Sequence, residues 1–258
     1  MIRFENVVKY LSGAKVLDGM TFTVNRGEIL AIVGPSGTGK SVTLRHMVRL
    51  LTPSSGKVWL DDVEISSAAG DTLKRIRDRF GFLFQSSALM GWLTVAENVA
   101  LPLRECTKLS DAETAKRVEE ALAEVGLADS ADKYPSEISG GMQKRAGLAR
   151  AIVRRSDIVL YDEPTSGLDP VTSVLINRLI KRMNVQRGIT SIVVTHDLQS
   201  ALQFADRIMM LKNGKAVLAA PPREFVSSSI PDVREFLDAQ FITPGGFELM
   251  SKEKLYEC

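Results

Sequence analysis

Gly34-Pro35-Ser36-Gly37-Thr38-Gly39-Lys40-Ser41 follows directly on the apolar run Ile29-Leu-Ala-Ile-Val33, and this junction decides the fold. A short apolar run ending at glycine reads as a buried strand, and the next eight residues have the G-x-x-x-x-G-K-[ST] spacing of a phosphate-binding loop. Gly34, Gly37 and Gly39 let the backbone turn tightly with its N–H groups facing an anion. The Lys40 ammonium then reaches β- and γ-phosphates, and the Ser41 hydroxyl reaches Mg²⁺. Pro35, Ser36, Thr38 and Val42 complete the expected nucleotide-binding segment. The helix opening near Gly39 points its positive end at the same phosphates.

Working outward, the 258 residues are enough for one large α/β domain or two small lobes, and 45% are apolar, so disorder is excluded. Lys plus Arg (33) nearly balances Asp plus Glu (31), which leaves no global field for nucleic acid. The two cysteines, Cys106 and Cys258, form no framework and suit a reducing compartment. The N-terminal segment lacks the apolar core of a secretory signal, and no stretch approaches eighteen uncharged apolar residues. The chain is therefore expected to be soluble and cytoplasmic, with any membrane role exercised through a partner.

Strands are expected at Phe4 to Val8, Val16 to Val24, Glu28 to Val33 and Lys57 to Ile65, separated by Gly-containing turns. From about Thr94 to Gly126 the pattern is helical: Ser110-Asp-Ala-Glu113 is a capping box, and Val118, Leu122 and Val125 recur at helical spacing. Apolar strands at Ile158 to Tyr161, Ser191 to Thr195 and Ile208 to Leu211 alternate with helices, as in a parallel sheet covered on both faces. The fold class is thus α/β, a β-rich opening and a parallel-sheet core spanning 1–220 with a helical subdomain at about 90–155. Residues 221–258 are read as a partly helical extension outside the core.

Ile158-Val-Leu-Tyr-Asp162-Glu163 is a strand delivering two carboxylates at its C-terminal end. Asp162 suits a bound Mg²⁺, and Glu163, turned differently, suits the base that accepts a proton from water attacking the γ-phosphate. Ser139-Gly140-Gly141-Met142-Gln143 opens a helix with bare N–H groups and a hydroxyl, a further anion site or an ordinary cap. Along that helix, Lys144, Arg145, Arg150, Arg154 and Arg155 read as a solvated face carrying phosphate or partner contacts, since no aromatic residues are interleaved for base stacking.

Together these motifs resemble those of ATP-binding cassette (ABC) ATPases: the phosphate loop at 34–41, Gln85 in Leu83-Phe-Gln85, the signature at 139–143, Asp162-Glu163, Ser166-Gly-Leu-Asp169, and His196 in Val194-Thr-His196-Asp, all in the family's order. The resemblance covers about residues 2–220. It implies a head-to-tail homodimer in which ATP is held between one chain's phosphate loop and the other's Ser139 to Gln143. It further implies that Gln85 senses Mg²⁺ and the attacking water, that His196 contacts the γ-phosphate, and that Asp169 links the two sites. Tyr10, about two dozen residues before the loop, is the candidate to stack on adenine; its plainer reading is an edge-strand aromatic packing on its neighbour. Two positions depart from the usual Leu-Ser-Gly-Gly-Gln signature, Ile138 for Leu and Met142 for Gln, while Ser139, Gly140 and Gly141 are intact.

At subfamily level, Met142-Gln-Lys-Arg-Ala, Phe84-Gln-Ser-Ser-Ala-Leu89 and Thr94-Val-Ala-Glu-Asn-Val-Ala-Leu-Pro-Leu-Arg104 resemble the ATPase of Mce-associated phospholipid transporters of the Mla type. That implies integral-membrane permease subunits and a membrane-anchored Mce-domain lipid-binding protein as partners, at the cytoplasmic face of the inner membrane. Phe84, Leu89, Met90, Trp92 and Leu93 supply an apolar surface where such cassettes receive a permease helix. The alternatives are an importer ATPase for amino acids or other small polar solutes, and a soluble ABC ATPase outside transport. A P-loop kinase or GTPase leaves the signature and His196 without a role.

Overall fold

The computed structural model describes residues 1–250; Cys258 lies outside them. The chain opens with strands β1 (Ile2–Leu11), β2 (Ala14–Val24) and β3 (Ile29–Val33), then helix α1 (Lys40–Met47), strands β4 (Ser55–Leu60) and β5 (Val63–Glu64), helix α2 (Gly70–Asp78) and strand β6 (Phe80–Leu83). Three helices follow: α3 (Val95–Cys106), α4 (Asp111–Glu124) and α5 (Gly140–Ile152). Then come β7 (Ile158–Asp162), α6 (Pro170–Arg187), β8 (Thr190–Val194), α7 (Leu198–Phe204), β9 (Arg207–Lys212) and β10 (Lys215–Ala220), and last α8 (Pro222–Val226), α9 (Pro231–Asp238) and α10 (Pro244–Met250).

Two sheets result. One is antiparallel in the order β2-β1-β4-β5, and the other runs β10-β9-β3-β8-β7-β6. Within the second, β9, β3, β8, β7 and β6 are parallel and only β10 is antiparallel to its neighbour. Successive side chains of a strand point to opposite faces, and here both faces are buried. On β3, Ile29, Ala31 and Val33 join the core shared with the helical subdomain, α6, α7 and the C-terminal helices, whereas Leu30 and Ile32 join the core shared with α1 and the antiparallel sheet. On β7, Val159 and Tyr161 face the first core while Ile158 and Leu160 face the second. This two-sided burial is why those strands read as unbroken apolar runs.

The structure differs from sequence expectation in three places. Residues 57–65 form a hairpin rather than one strand, because Asp61 adopts a left-handed φ of 52° and Leu60 pairs with Val63; a short polar side chain tolerates that conformation. The helical block divides at residues 107–110, where the Ser110–Glu113 capping box starts α4 afresh. The segment from 221 does not lie outside the core. Phe225, Val226, Val233 and Leu237 are buried in the same cluster as β9 and α7, so the α8 and α9 region is fastened by apolar burial.

Candidate functional site

The chain leaves β3 at its C-terminal end and enters α1 through residues 34–39, so the first-turn N–H groups of α1 open toward the end of the parallel sheet where β7 also stops. Gly34 has φ 143°, and a Cβ there would stand 2.1 Å from the Leu211 carbonyl oxygen, so no other residue fits this exit. The Lys40 ammonium donates to the Gly34 carbonyl at 2.7 Å and to that of Pro35 at 2.9 Å, lying across the loop's mouth. Burial pulls its pKa down, and the nearby charges of Glu163 and Asp162 push it back up. At the floor, Ser41 Oγ donates to Asp162 Oδ1 at 2.7 Å.

Glu163, just past β7, has a left-handed φ of 50°, uncommon for a residue with a side chain. Its N–H donates to the Val194 carbonyl at 2.9 Å, and its Oε2 lies 2.7 Å from His196 Nδ1 at the end of β8. His196 is 67% exposed on its side chain, so the pair stands at the lip of the cleft. The cleft, about 320 Å³, is lined by Ser36, Gly37, Lys40, Ser41, Gln85 and Glu163 among others, with Val16 of β2 on its wall. Tyr10 is 47% exposed on β1, its ring centroid 5.9 Å from the Lys15 ammonium.

Among the described residues lining this cleft there is none from Ser139 to Gln143. That segment forms the N-terminus of α5, with Ser139 Oγ accepting from the Met142 N–H at 3.3 Å. Ser139 and Gly140 are exposed. Met142 packs against the core, and Gln143 Nε2 turns inward to the Pro135 carbonyl at 2.8 Å. Asp169 caps α6, accepting from the Thr172 N–H at 3.0 Å and its hydroxyl at 2.6 Å; these bonds hold its carboxyl below the usual range.

The basic residues after the signature are not one solvated face: Arg155 is exposed, but Lys144 is buried and Arg145, Arg150 and Arg154 are half-buried. Lys144 is 5% exposed, and its ammonium donates to the main-chain carbonyls of Gln85 and, at 3.3 Å, Glu163. Arg145 donates to the carbonyls of Val125 and Gly126, and Arg150 to those of Ser87 and Ala88 at 2.6 and 2.7 Å. Arg154 and Arg155 pair with Asp78 and Glu120. Cations can be buried when they satisfy otherwise unpaired carbonyls. The available signal was helical spacing: Lys144 falls in step with the buried Leu148, four residues on, and Ala151, three further.

The family described as ABC transporter matches residues 17–166. The chain belongs to that family. A probable ribonucleotide transport ATP-binding protein, mkl, of Mycobacterium tuberculosis is 41% identical over 253 residues, covering 98% of this chain and 70% of that protein. The methionine import ATP-binding protein MetN of Carboxydothermus hydrogenoformans is 39% identical, covering 87% of this chain and 66% of that one. Among solved structures, a dimeric ATP-binding cassette in a post-hydrolysis state with ADP and Pi superposes with a TM-score of 0.80 at 36% identity, covering 86% of this chain and 99% of that one.

This cassette is an ATPase subunit of an ABC transporter, and ATP and Mg²⁺ are its nucleotide and metal. The residues fit both. The glycine cradle behind Lys40 would take phosphate oxygens, and the adjacent Ser41 hydroxyl and Asp162 carboxylate are hard oxygen donors of the kind Mg²⁺ takes beside a nucleotide. Among the described residues no helix is long and apolar enough to cross a membrane.

Proposed function

We propose that this chain is the ATP-hydrolysing subunit of a phospholipid transporter of the Mla/Mce type, working as a homodimer bound to permease subunits at the cytoplasmic face of the inner membrane. The observation that carries the catalytic part is the single cleft shared by Lys40, Ser41, Gln85 and Glu163. Lys40 leaves its two carbonyls to grip β- and γ-phosphates. Ser41, Asp162 and Gln85 would hold Mg²⁺, which when bound would supply positive charge against the phosphate oxygens. Glu163 accepts the proton of the attacking water, and His196, held on its carboxylate, faces the γ-phosphate. Tyr10 is assigned to the adenine.

The second anion site, at Ser139 to Gly141, has no part in its own chain's cleft, which supports a role in a partner chain's site across a two-fold interface with Asp169 between the two. The permease is assigned to the face after Gln85. An apolar groove there is lined by Phe82, Phe84, Ala88, Met90 and Pro102, and Trp92, two residues after Met90, is 75% exposed. An exposed aromatic beside a groove suits an amphipathic helix.

Cargo rests on the stretches Phe84 to Leu89 and Thr94 to Arg104. The 39% identity to a methionine importer cassette favours a second reading, import of a small polar solute. Reconstitution with the copurified permease separates them: ATP-dependent movement of phospholipid between vesicles supports the first reading, and methionine uptake with no lipid movement supports the second.

A further inference from the structure

Among the described residues Lys144 donates to no carboxylate; its ammonium is engaged by two main-chain carbonyls from separate loops. One belongs to Gln85, at the end of β6, and the other to Glu163, at the end of β7. These are the residues assigned to orient and deprotonate the attacking water. Both loops hold unusual backbone: Glu163 has φ 50°, and Ser87 and Ala88, just after Gln85, have φ 60° and 47°. Residues with side chains keep such angles only where surrounding contacts over-determine them. Here the contacts come from one face of α5. Lys144 holds Gln85 and Glu163, and Arg150 holds Ser87 and Ala88 through its two terminal guanidinium nitrogens. Between them sits Gly147, where a Cβ would lie 2.8 Å from Leu83 Cδ1 and 3.3 Å from Ser87 Cβ, so the helix and the loop are in close contact.

We propose that Lys144 is a positioning residue: it fixes the main chains of Gln85 and Glu163 to the helix that begins with the signature, and so sets the rate of hydrolysis without contributing to nucleotide affinity. The inference rests on the reading of Glu163 as base. The same helix presents Ser139 to a second chain's nucleotide, so its seating there and the alignment of its own chain's catalytic groups become one rigid-body event. Lys144 lines neither the cleft nor the signature surface, which separates its role from phosphate binding.

The test compares Lys144→Met, Lys144→Arg and Lys144→Gln in the full chain, by steady-state ATPase assay and by titration with a fluorescent ATP analogue. A displacement of about 1 Å at a reacting centre can cost about a hundredfold. Lys144→Met should therefore lower kcat at least about tenfold, with KM and the analogue's Kd within about twofold of wild type. Lys144→Arg keeps two donors for the carbonyls and should recover kcat to within about threefold. If Lys144→Met does not fold, Lys144→Gln, whose amide keeps two donors on a stem one atom too short to reach both carbonyls, is read by the same criteria. The proposal is overturned if kcat stays within about twofold, or if in every variant kcat and melting temperature fall while Kd rises in step, as for a lysine that merely supports the fold. Glu163→Gln run alongside keeps the two ideas apart: its retaining activity would refute the base and leave the Lys144 result to be read by itself.

Discussion

The phosphate-loop side of the cleft and the signature side are built in opposite ways. Around Lys40, three of the working groups already have a partner in their own chain: loop carbonyls for Lys40, Asp162 for Ser41, His196 for Glu163. At the N-terminus of α5, by contrast, Ser139 is exposed and, among the described residues, bonded only within its own turn, while Met142 and Gln143 turn away into the subdomain. The first region is pre-organised on the ends of three strands. The second, the helix terminus proposed as an anion site, lines no part of its own chain's cleft.

The largest effect falls on the self-contained side. Glu163→Gln should reduce kcat by about 10²- to 10⁴-fold, the range a positioned base contributes, while ATP binding persists and dimers accumulate with the nucleotide. Turnover above about a tenth of wild type would remove Glu163 as base. Next, Lys40→Ala removes a charge-assisted contact worth about 1.5–3 kcal/mol, so the ATP dissociation constant should rise about 10- to 150-fold by calorimetry. An unchanged constant would show that Lys40 does not grip phosphate.

On the subdomain side, Trp92→Glu should leave folding and nucleotide binding intact but cost about 2 kcal/mol or more of permease binding, seen as loss of copurification. Leu89 is half-buried and packs against the core, so Leu89→Glu should instead lower the melting temperature. Normal assembly of the Trp92 variant would move the docking site elsewhere.

The smallest effect lies away from both sites. Arg79 hydrogen-bonds Asp61, and that bond is the main cause holding its carboxyl below the ordinary value. Because the folded-state pKa is the lower one, the stabilisation is present at neutral pH and is lost as pH falls below about 4. The pair is partly exposed, so Arg79→Met should cost about 1 kcal/mol or less at pH 7, and the difference from wild type should shrink in acid melts.

What could be read from sequence follows the same division. Two-sided burial of β3 and β7 gives continuous apolar runs, and a phosphate loop needs its residues consecutive, so Gly34 to Ser41 and Asp162-Glu163 were legible from order alone. Contacts made across the chain were not. Lys144 to Gln85 and Arg150 to Ala88 join residues about sixty positions apart, and a basic run on a helix looks the same whether its cations meet water or carbonyls. Composition also misplaced the tail, since its turn-rich stretches hide Phe225, Val233 and Leu237 falling on a common buried surface.

The direct test of the contrast is complementation between two inactive chains. Homodimers of Lys40→Ala carry a defective phosphate loop in both sites, and homodimers of Ser139→Ala a defective signature in both. Mixed dimers gather both defects into one composite site and leave the other intact. If Ser139 completes the site of a second chain, mixing the two preparations should restore ATPase activity, to about a quarter of wild type when half of the dimers are mixed and one of two sites works independently. Activity no greater than the mean of the two separate preparations, while mixed dimers are shown to form, would contradict it.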